Sequence, residues 1–231
     1  TKALKSRVIL RGPRDIGGSF GIKSAIYPYL ALIAVTSRIV NKPVKWVETR
    51  SEHIIASSTG AERESRVRIY GNKQGKIYAI EMEMVDNLGA YPRPPEPGNL
   101  LRTHGNISGA YDIEALKINY KAVFTNTLPT GLNRGYGGPH LYLALESAVD
   151  DFANEIGMDP LDVRLKNVIK QEEYETLTGR RYYGFSCYKV LSKMREIYEG
   201  LVERSMRYKN RGVGVSLLVE PSGTNVGYLA L

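Results

Sequence analysis

Cysteine is nearly absent: Cys187 is the one thiol in 231 residues. That excludes an internal disulfide framework, and it excludes a cysteine-ligated iron–sulfur cluster held by these residues alone. One cysteine suits a reducing compartment, so a cytoplasmic location is expected. Histidine is also scarce. His53, His104 and His140 lie far apart in the chain, no two at metal-ligand spacing, so no protein-ligated metal is expected. No uncharged apolar run approaches the roughly 18 residues of a membrane span. Residues 25–40 come nearest, but polar residues interrupt them and Arg38 sits near their end. The residues following Thr1 lack the apolar core of a signal peptide. Internal repeats and low-complexity segments are missing too.

Long blocks of one charge are likewise absent. There are 32 Lys and Arg against 24 Asp and Glu, a formal net charge of +8. The basic residues are scattered among acids, which fits a solvated surface or one that meets an anionic cofactor or an acidic subunit. A nucleic-acid binder would need a salt-dependent affinity for polynucleotide. No RNP-like, zinc-finger or helix-turn-helix pattern accompanies the charge.

What is present is the composition of a globular chain, 42% apolar and 24% charged, long enough to bury a sizeable core. The sequence is organised around Asp15-Ile16-Gly17-Gly18-Ser19-Phe20-Gly21-Ile22-Lys23-Ser24. The apolar run Val8-Ile9-Leu10 precedes it and the long apolar segment 25–40 follows, so it reads as strand, glycine loop, helix. Glycines admit positive φ and let backbone N–H groups approach a bound group closely. A helix N-terminus favours an anion. Gly21 and Lys23 are not adjacent, so this is not a Walker loop, and the dinucleotide pattern G-x-G-x-x-G is missing. Spacing alone leaves a tight turn with no ligand equally open.

A second loop follows: Asn133-Arg134-Gly135-Tyr136-Gly137-Gly138-Pro139-His140. Taken together, the two loops resemble those of the molybdenum hydroxylases, the xanthine dehydrogenase and aldehyde oxidoreductase family, in the molybdopterin-binding part of the large chain. Further stretches match in the family's order: Lys42-Pro43-Val44-Lys45-Trp46, Thr49-Arg50-Ser51-Glu52, then 146–167 with Gly157-Met158-Asp159-Pro160 and Arg164-Leu165-Lys166-Asn167.

The resemblance implies an α+β fold, mixed β-sheets flanked by helices, with residues 1–231 forming part of a molybdopterin-binding domain and a candidate sub-boundary near 90–105. It implies a molybdenum–pterin cofactor, molybdopterin or its dinucleotide. Gly18, Ser19, Phe20 and Gly21 would hold one side of it, the Phe20 N–H facing the metal's oxo ligand, with Arg134 and Gly135 on the other side. Family members hydroxylate an aldehyde or an aza-heterocycle, with a glutamate as general base. Their electrons leave through Fe–S clusters to FAD, which here would sit on partner chains.

Ser24 stands where the purine oxidisers carry a substrate-binding glutamate, so xanthine is not the expected substrate. Arg102 is the candidate counterpart of their substrate arginine, and Tyr136 replaces a phenylalanine that packs on the substrate. No cysteine occurs on the second loop, so the copper–sulfur site of the carbon monoxide dehydrogenases is not expected. The family's large chain is several times longer, and its catalytic glutamate lies beyond the matched region. The chain therefore reads as a piece of a split large subunit or a truncated relative, with no catalytic residue of its own. It would need the remaining large-subunit polypeptide, an Fe–S subunit and a flavin subunit. The competing reading is a non-catalytic scaffold or partner-binding module of the same fold.

Local patterns supply the other expectations. Leu30, Ile33, Ala34 and Ser37 predict a core face on the first helix, stopped at Asn41-Lys42-Pro43. Residues 44–47 alternate like a half-buried strand, with Trp46 in the core. Residues 51–57 predict a short helix capped by Ser51. Residues 64–70 and 76–85 predict a hairpin. Four prolines within 92–97 predict an extended surface loop, which the resemblance places at the rim of a substrate channel. Residues 116–125 read as a strand. Residues 141–156 form an amphipathic helix ended by Gly157. Glu146 and Asp150, at i,i+4, predict structural hydrogen bonds. Asp159-Pro160 opens another helix. Residues 185–198 predict an amphipathic helix, 212–219 a buried strand, and 227–231 a strand cut short.

Overall fold

The computed structural model describes residues 9–220. Val8 and the strand expected at 227–231 lie outside them. The architecture is α+β. A three-stranded mixed sheet, order β1-β2-β3, carries helices on its flank, and a two-stranded ribbon stands apart. Strand β1 (Glu62–Gly71) pairs antiparallel with β2 (Ile77–Asn87), as the hairpin pattern predicts. Strand β3 (Ala115–Val123) joins β2 in parallel. A parallel neighbour needs a long crossover, and here that crossover holds the short helix α3 (Gly98–Leu101) and a 3-10 turn at His104–Asn106. The ribbon is β4 (Tyr174–Glu175) with β5 (Arg181–Tyr182).

Period-two burial along β2 sends Ile80, Met82, Met84 and Asp86 inward. Their apolar members meet Leu141, Leu145 and Val149 of α4 (Gly138–Ile156). Full burial of such side chains contributes about 1.5–3 kcal/mol each. Gly157 ends α4 at φ 68°, the left-handed stop expected of it. Asp159 caps α5 (Pro160–Asn167) by accepting the Leu161 N–H at 2.7 Å. Helix α6 (Cys187–Ser205) runs a further two turns beyond the predicted 198.

Behind this core lies a buried charge cluster. Arg164 is fully enclosed; its Nε donates to Glu146 Oε2 at 2.9 Å and its Nη1 to Asp150 Oδ1 at 2.7 Å. Tyr111 donates its hydroxyl to Glu146 Oε1 at 2.7 Å. The carboxylate pair thus serves structural hydrogen bonds, as its spacing predicts. Asn167 completes the join: its Oδ1 accepts the Ile77 N–H and its Nδ2 donates to Gly75 O, tying α5 to the hairpin turn.

Several local expectations are corrected. Ile9 and Leu10 are exposed and form no strand. Helix α1 (Tyr27–Val40) begins only after a 3-10 turn at Ile22–Ala25. None of its residues is buried: Leu30 and Ala34 are exposed, Ile33 and Ser37 half-buried. The helix is apolar on every side, so no single face is distinguished, and no described element packs broadly against it. Residues 44–47 are not a strand, and Trp46 is 44% exposed, stacked on Tyr29 at 4.9 Å. Helix α2 (Arg50–Ala56) is capped by Thr49, not Ser51, through a reciprocal box with Glu52. The proline-rich stretch is not extended. It folds into successive turns, with Glu96 N–H on Arg93 O and Gly98 N–H on Pro95 O, and it feeds α3.

The buried strand expected at 212–219 is also corrected: only Leu217 there is buried, and the residues belong to no ladder among the described residues. Side chains take the place of a neighbouring strand. Glu146 Oε2 accepts the Leu217 N–H at 2.9 Å, and the Tyr142 hydroxyl and Asn106 amide donate to Val219 O. Among the described residues no helix is long and apolar enough to cross a membrane.

Removing Arg164 leaves Glu146 charged and buried. Arg164→Ala is expected to destabilise the fold by about 3–5 kcal/mol, measured by urea unfolding, with Glu146→Ala additional to it by much less than its own single cost. Burial raises the hydroxyls of Tyr111, Tyr142 and Tyr182, and brings those of Tyr120 and Tyr174 to about 12. A tyrosine whose folded pKa is raised contributes stability that is complete below its unfolded value, about 10, and is lost as pH climbs from there toward the folded value. Unfolding midpoints should therefore fall steeply above about pH 10. Tyr111→Phe should flatten part of that slope.

Candidate functional site

The first glycine loop is open on one side. Gly18 has φ 106° and Gly21 φ 101°, while a Cβ at Gly17 or Gly18 would meet nothing within 4 Å. Phe20 sits at φ 54°, a left-handed conformation uncommon for a bulky residue. The turn is held from within: Ser19 Oγ accepts the Gly21 N–H at 3.2 Å, and Ser19 O accepts the Ile22 N–H. The loop is therefore open over its two adjacent glycines, Gly17 and Gly18.

The second loop is fixed from below. Gly137, the residue before α4, has φ 79°, and a Cβ there would lie 2.2 Å from Asn99 O. Asn99 O in turn accepts Arg63 Nη2 at 2.8 Å. Arg63 and Asp86 are directly opposite on β1 and β2, and both side chains are buried in a two-pronged ion pair. Glu96 also reaches Asn99, and burial raises its carboxyl above the ordinary range. None of Arg63, Asp86, Glu96 or Asn99 is signalled by the loop's own sequence. The chain separation between Arg63 and Asn99 hides the relation.

The fold brings the two loops together. A Cβ on Gly21 would lie 3.0 Å from Leu132 Cβ, so the first loop packs on the strap leading into the second. The Arg134 guanidinium lies over the Phe20 ring at 5.3 Å, a cation–π contact. Arg102 and Tyr136 also meet: Arg102 Nη1 donates to Tyr136 O at 3.0 Å, and its guanidinium covers the Tyr136 ring at 4.7 Å. Arg102 additionally pairs with Glu220, a residue that sequence reasoning did not single out. Ser24 is exposed within the 3-10 turn, its N–H bonded to Gly21 O, and is not part of the Arg102–Tyr136 contact. From Arg134 and Gly135 an open groove of about 730 Å³ follows the first turns of α4, walled on the far side by residues 214–220.

His53 donates to or accepts from Glu48 at 2.9 Å, away from both loops in sequence. Among the described residues no three of His, Cys, Asp and Glu converge as metal ligands. Two adjacent glycine loops on an α+β frame thus bring main-chain groups and one arginine to the same open side.

The chain belongs to the molybdopterin cofactor-binding domain family, whose sequence profile matches residues 3–168. It is 30% identical over 224 residues to the nicotine 6-hydroxylase large subunit of Paenarthrobacter nicotinovorans, covering 93% of this chain and 28% of that protein. To the putative xanthine dehydrogenase molybdenum-binding subunit of Escherichia coli (strain K12) it is 30% identical over 216 residues, covering 90% of this chain and 28% of that one. Among solved structures, quinoline 2-oxidoreductase from Pseudomonas putida 86 superposes with a TM-score of 0.77 at 26% identity, over 84% of this chain and 25% of that one. Aldehyde oxidoreductase from Desulfovibrio gigas gives a TM-score of 0.74 at 27% identity, over 83% of this chain and 21% of that one. The chain thus spans about a quarter of the length of these relatives.

Gly137→Ala tests the loop anchor. The new methyl group collides with Asn99 O, and the position also demands positive φ, so the variant should lose about 2 kcal/mol or more of stability. Chemical denaturation measures the loss; a silent substitution would show that the second loop is free of α3.

Proposed function

We propose that residues 1–231 form the molybdenum-facing part of a molybdenum hydroxylase that oxidises an aldehyde or an aza-heterocycle. Further large-chain polypeptide completes the site, and companion chains carry the Fe–S clusters and FAD. The observation that carries this reading is the meeting of the two loops, Phe20 under Arg134, beside an open main-chain cradle.

The residues present fit the group. Open space over Gly17 and Gly18 admits a ligand to the backbone, and Arg134 supplies positive charge beside it. When bound, the molybdenum–pterin group supplies the oxygen-transfer and two-electron chemistry, which protein side chains cannot perform. The roles of this chain are narrower. The Phe20 N–H is the donor toward the group, a bond that contributes about 1.5–3 kcal/mol toward a charged acceptor, and Gly18, Ser19 and Gly21 shape the turn that presents it, Gly21 through its own bond to Ser19 Oγ. Arg134 and Gly135 close the opposite side. Arg102 and Tyr136, held against each other, stand on the substrate side in the same reading. The names of the nicotine, quinoline and aldehyde enzymes among the relatives support an aldehyde or aza-heterocycle substrate. Ser24, in place of an acid, speaks against purines. A cytoplasmic assembly is part of the same reading.

The test is purification from the native source under gentle conditions, with co-purifying chains retained, followed by molybdenum and pterin analysis. About one molybdenum per chain together with companion chains is expected. Arg134→Ala should lower the retained metal several-fold. A stable chain with neither metal nor companions would overturn the reading in favour of a cofactor-free scaffold.

A further inference from the structure

We propose that the cavity beside the β4–β5 ribbon is a binding site for a small aromatic oxyanion, an aryl carboxylate or aryl phosphate, with Arg180 as the residue that receives the negative group. The proposal uses neither glycine loop and stands apart from the cofactor reading.

The first observation is a cation without a counter-ion. Arg180 is half-buried, and among the described residues its guanidinium has neither an ion pair nor a hydrogen bond; the bond its residue donates is from the backbone N–H, to Thr176 Oγ1 at 3.0 Å. Other enclosed arginines are paired: Arg63 with Asp86, Arg102 with Glu220 and Arg164 with Glu146. A guanidinium partly withdrawn from water and left unpaired is costly. Its planar fork of donors fits an oxyanion, on which two parallel bonds can form.

The second observation is that this cation is held in place. The Thr176 N–H donates to Arg180 O at 2.8 Å, closing the ribbon turn. The Thr176 hydroxyl donates to Gly105 O at 3.0 Å, which docks that turn on the 3-10 turn at His104–Asn106. A Cβ on Gly105 would stand 2.7 Å from Arg180 Nε and 3.3 Å from Nη2. The guanidinium therefore lies directly on the Gly105 backbone, in space that a side chain there would take. Next along the ribbon, the Tyr182 hydroxyl donates to Gly109 O at 3.1 Å, and its ring stacks on Phe185 at 5.1 Å.

The third observation is the cavity itself, about 290 Å³, lined by Arg180 and Arg181 with Asn106, Tyr183 and Phe185. The carboxylate on its wall is Glu220, already paired with Arg102, while Arg181 is paired with Glu175. The charge left uncompensated is that of Arg180. Tyr183 and Phe185 supply aromatic surface against which a planar body packs. The volume is at the lower end of ligand-sized cavities, roughly 300 Å³ and upward, so it suits a single substituted ring. An anionic group on that ring gains a charge-assisted bond at Arg180. A neutral ring gains only the packing.

The test uses the full 231-residue chain, isotope-labelled, with backbone amide chemical shifts as the readout. Benzoate, phenyl phosphate, benzamide and inorganic phosphate are titrated in turn. Benzoate and phenyl phosphate should shift the amides at 104–106 and 180–185 saturably, leave those at 18–21 and 134–137 in place, and bind at least about tenfold more tightly than benzamide. Whichever of the two binds more tightly identifies the acid. Inorganic phosphate should bind at least about tenfold more weakly than phenyl phosphate, since it lacks the ring. Arg180→Gln should weaken both aryl anions by about tenfold and change benzamide by less than about twofold. Arg180→Ala should reproduce that loss, so a folding defect in one variant does not decide the result. Gly105→Ala, which keeps the charge but displaces the guanidinium, should also weaken them, an effect that a general surface attraction would not show. The proposal is overturned if the aryl anions bind no more tightly than benzamide, if inorganic phosphate matches phenyl phosphate, or if folded Arg180 variants bind them unchanged.

Discussion

The buried guanidinium of Arg164 is the interaction on which the arrangement depends. It cannot remain uncompensated in an apolar interior, so Glu146 and Asp150 must stand on one face of α4, and α5 must lie beside that face. Glu146 has capacity left over and uses it on the Tyr111 hydroxyl and the Leu217 N–H. One carboxylate therefore joins α4, α5, the crossover before β3 and the strap at 212–220. Because the second glycine loop runs directly into α4, whatever orients α4 also orients Arg134, Gly135 and Tyr136.

Close backbone approach does the finer positioning. Gly137 over Asn99 and Gly21 against Leu132 are contacts that any Cβ would push apart. The first sets the height of the second loop over α3. The second brings the two loops side by side. Arg63, itself fixed on Asp86, supports the Asn99 carbonyl from beneath. A site made of main-chain groups needs this kind of support, since it has few side chains of its own to lock it.

The described residues divide unevenly. From Ser58 onward they hold the sheet, the α4 stripe and the charge cluster, with every fully buried residue in that part. Before Ser58 none is buried, although α1 carries one charge in fourteen residues. A helix apolar on all sides is stable only when several neighbours enclose it. Its all-round apolar surface explains why the sequence pattern suggested a core face that the described residues do not cover.

Much was legible in the chain itself. The hairpin, the α4 stripe with its Gly157 stop, the Asp159 cap and the two loops follow from patterns within a few residues, where periodicity, capping and positive φ act locally. Locally ambiguous stretches were read less well. Thr49 and Ser51 are both plausible caps, and alternation at 44–47 is too short to define a strand without a partner. Only the tertiary structure decided the rest: that Phe20 lies under Arg134, that Asn99 supports Gly137, and that Glu220 covers Arg102 across 118 residues. Such contacts depend on how the sheet, α3 and α4 pack, and no local pattern encodes the distance between residues so far apart in the chain.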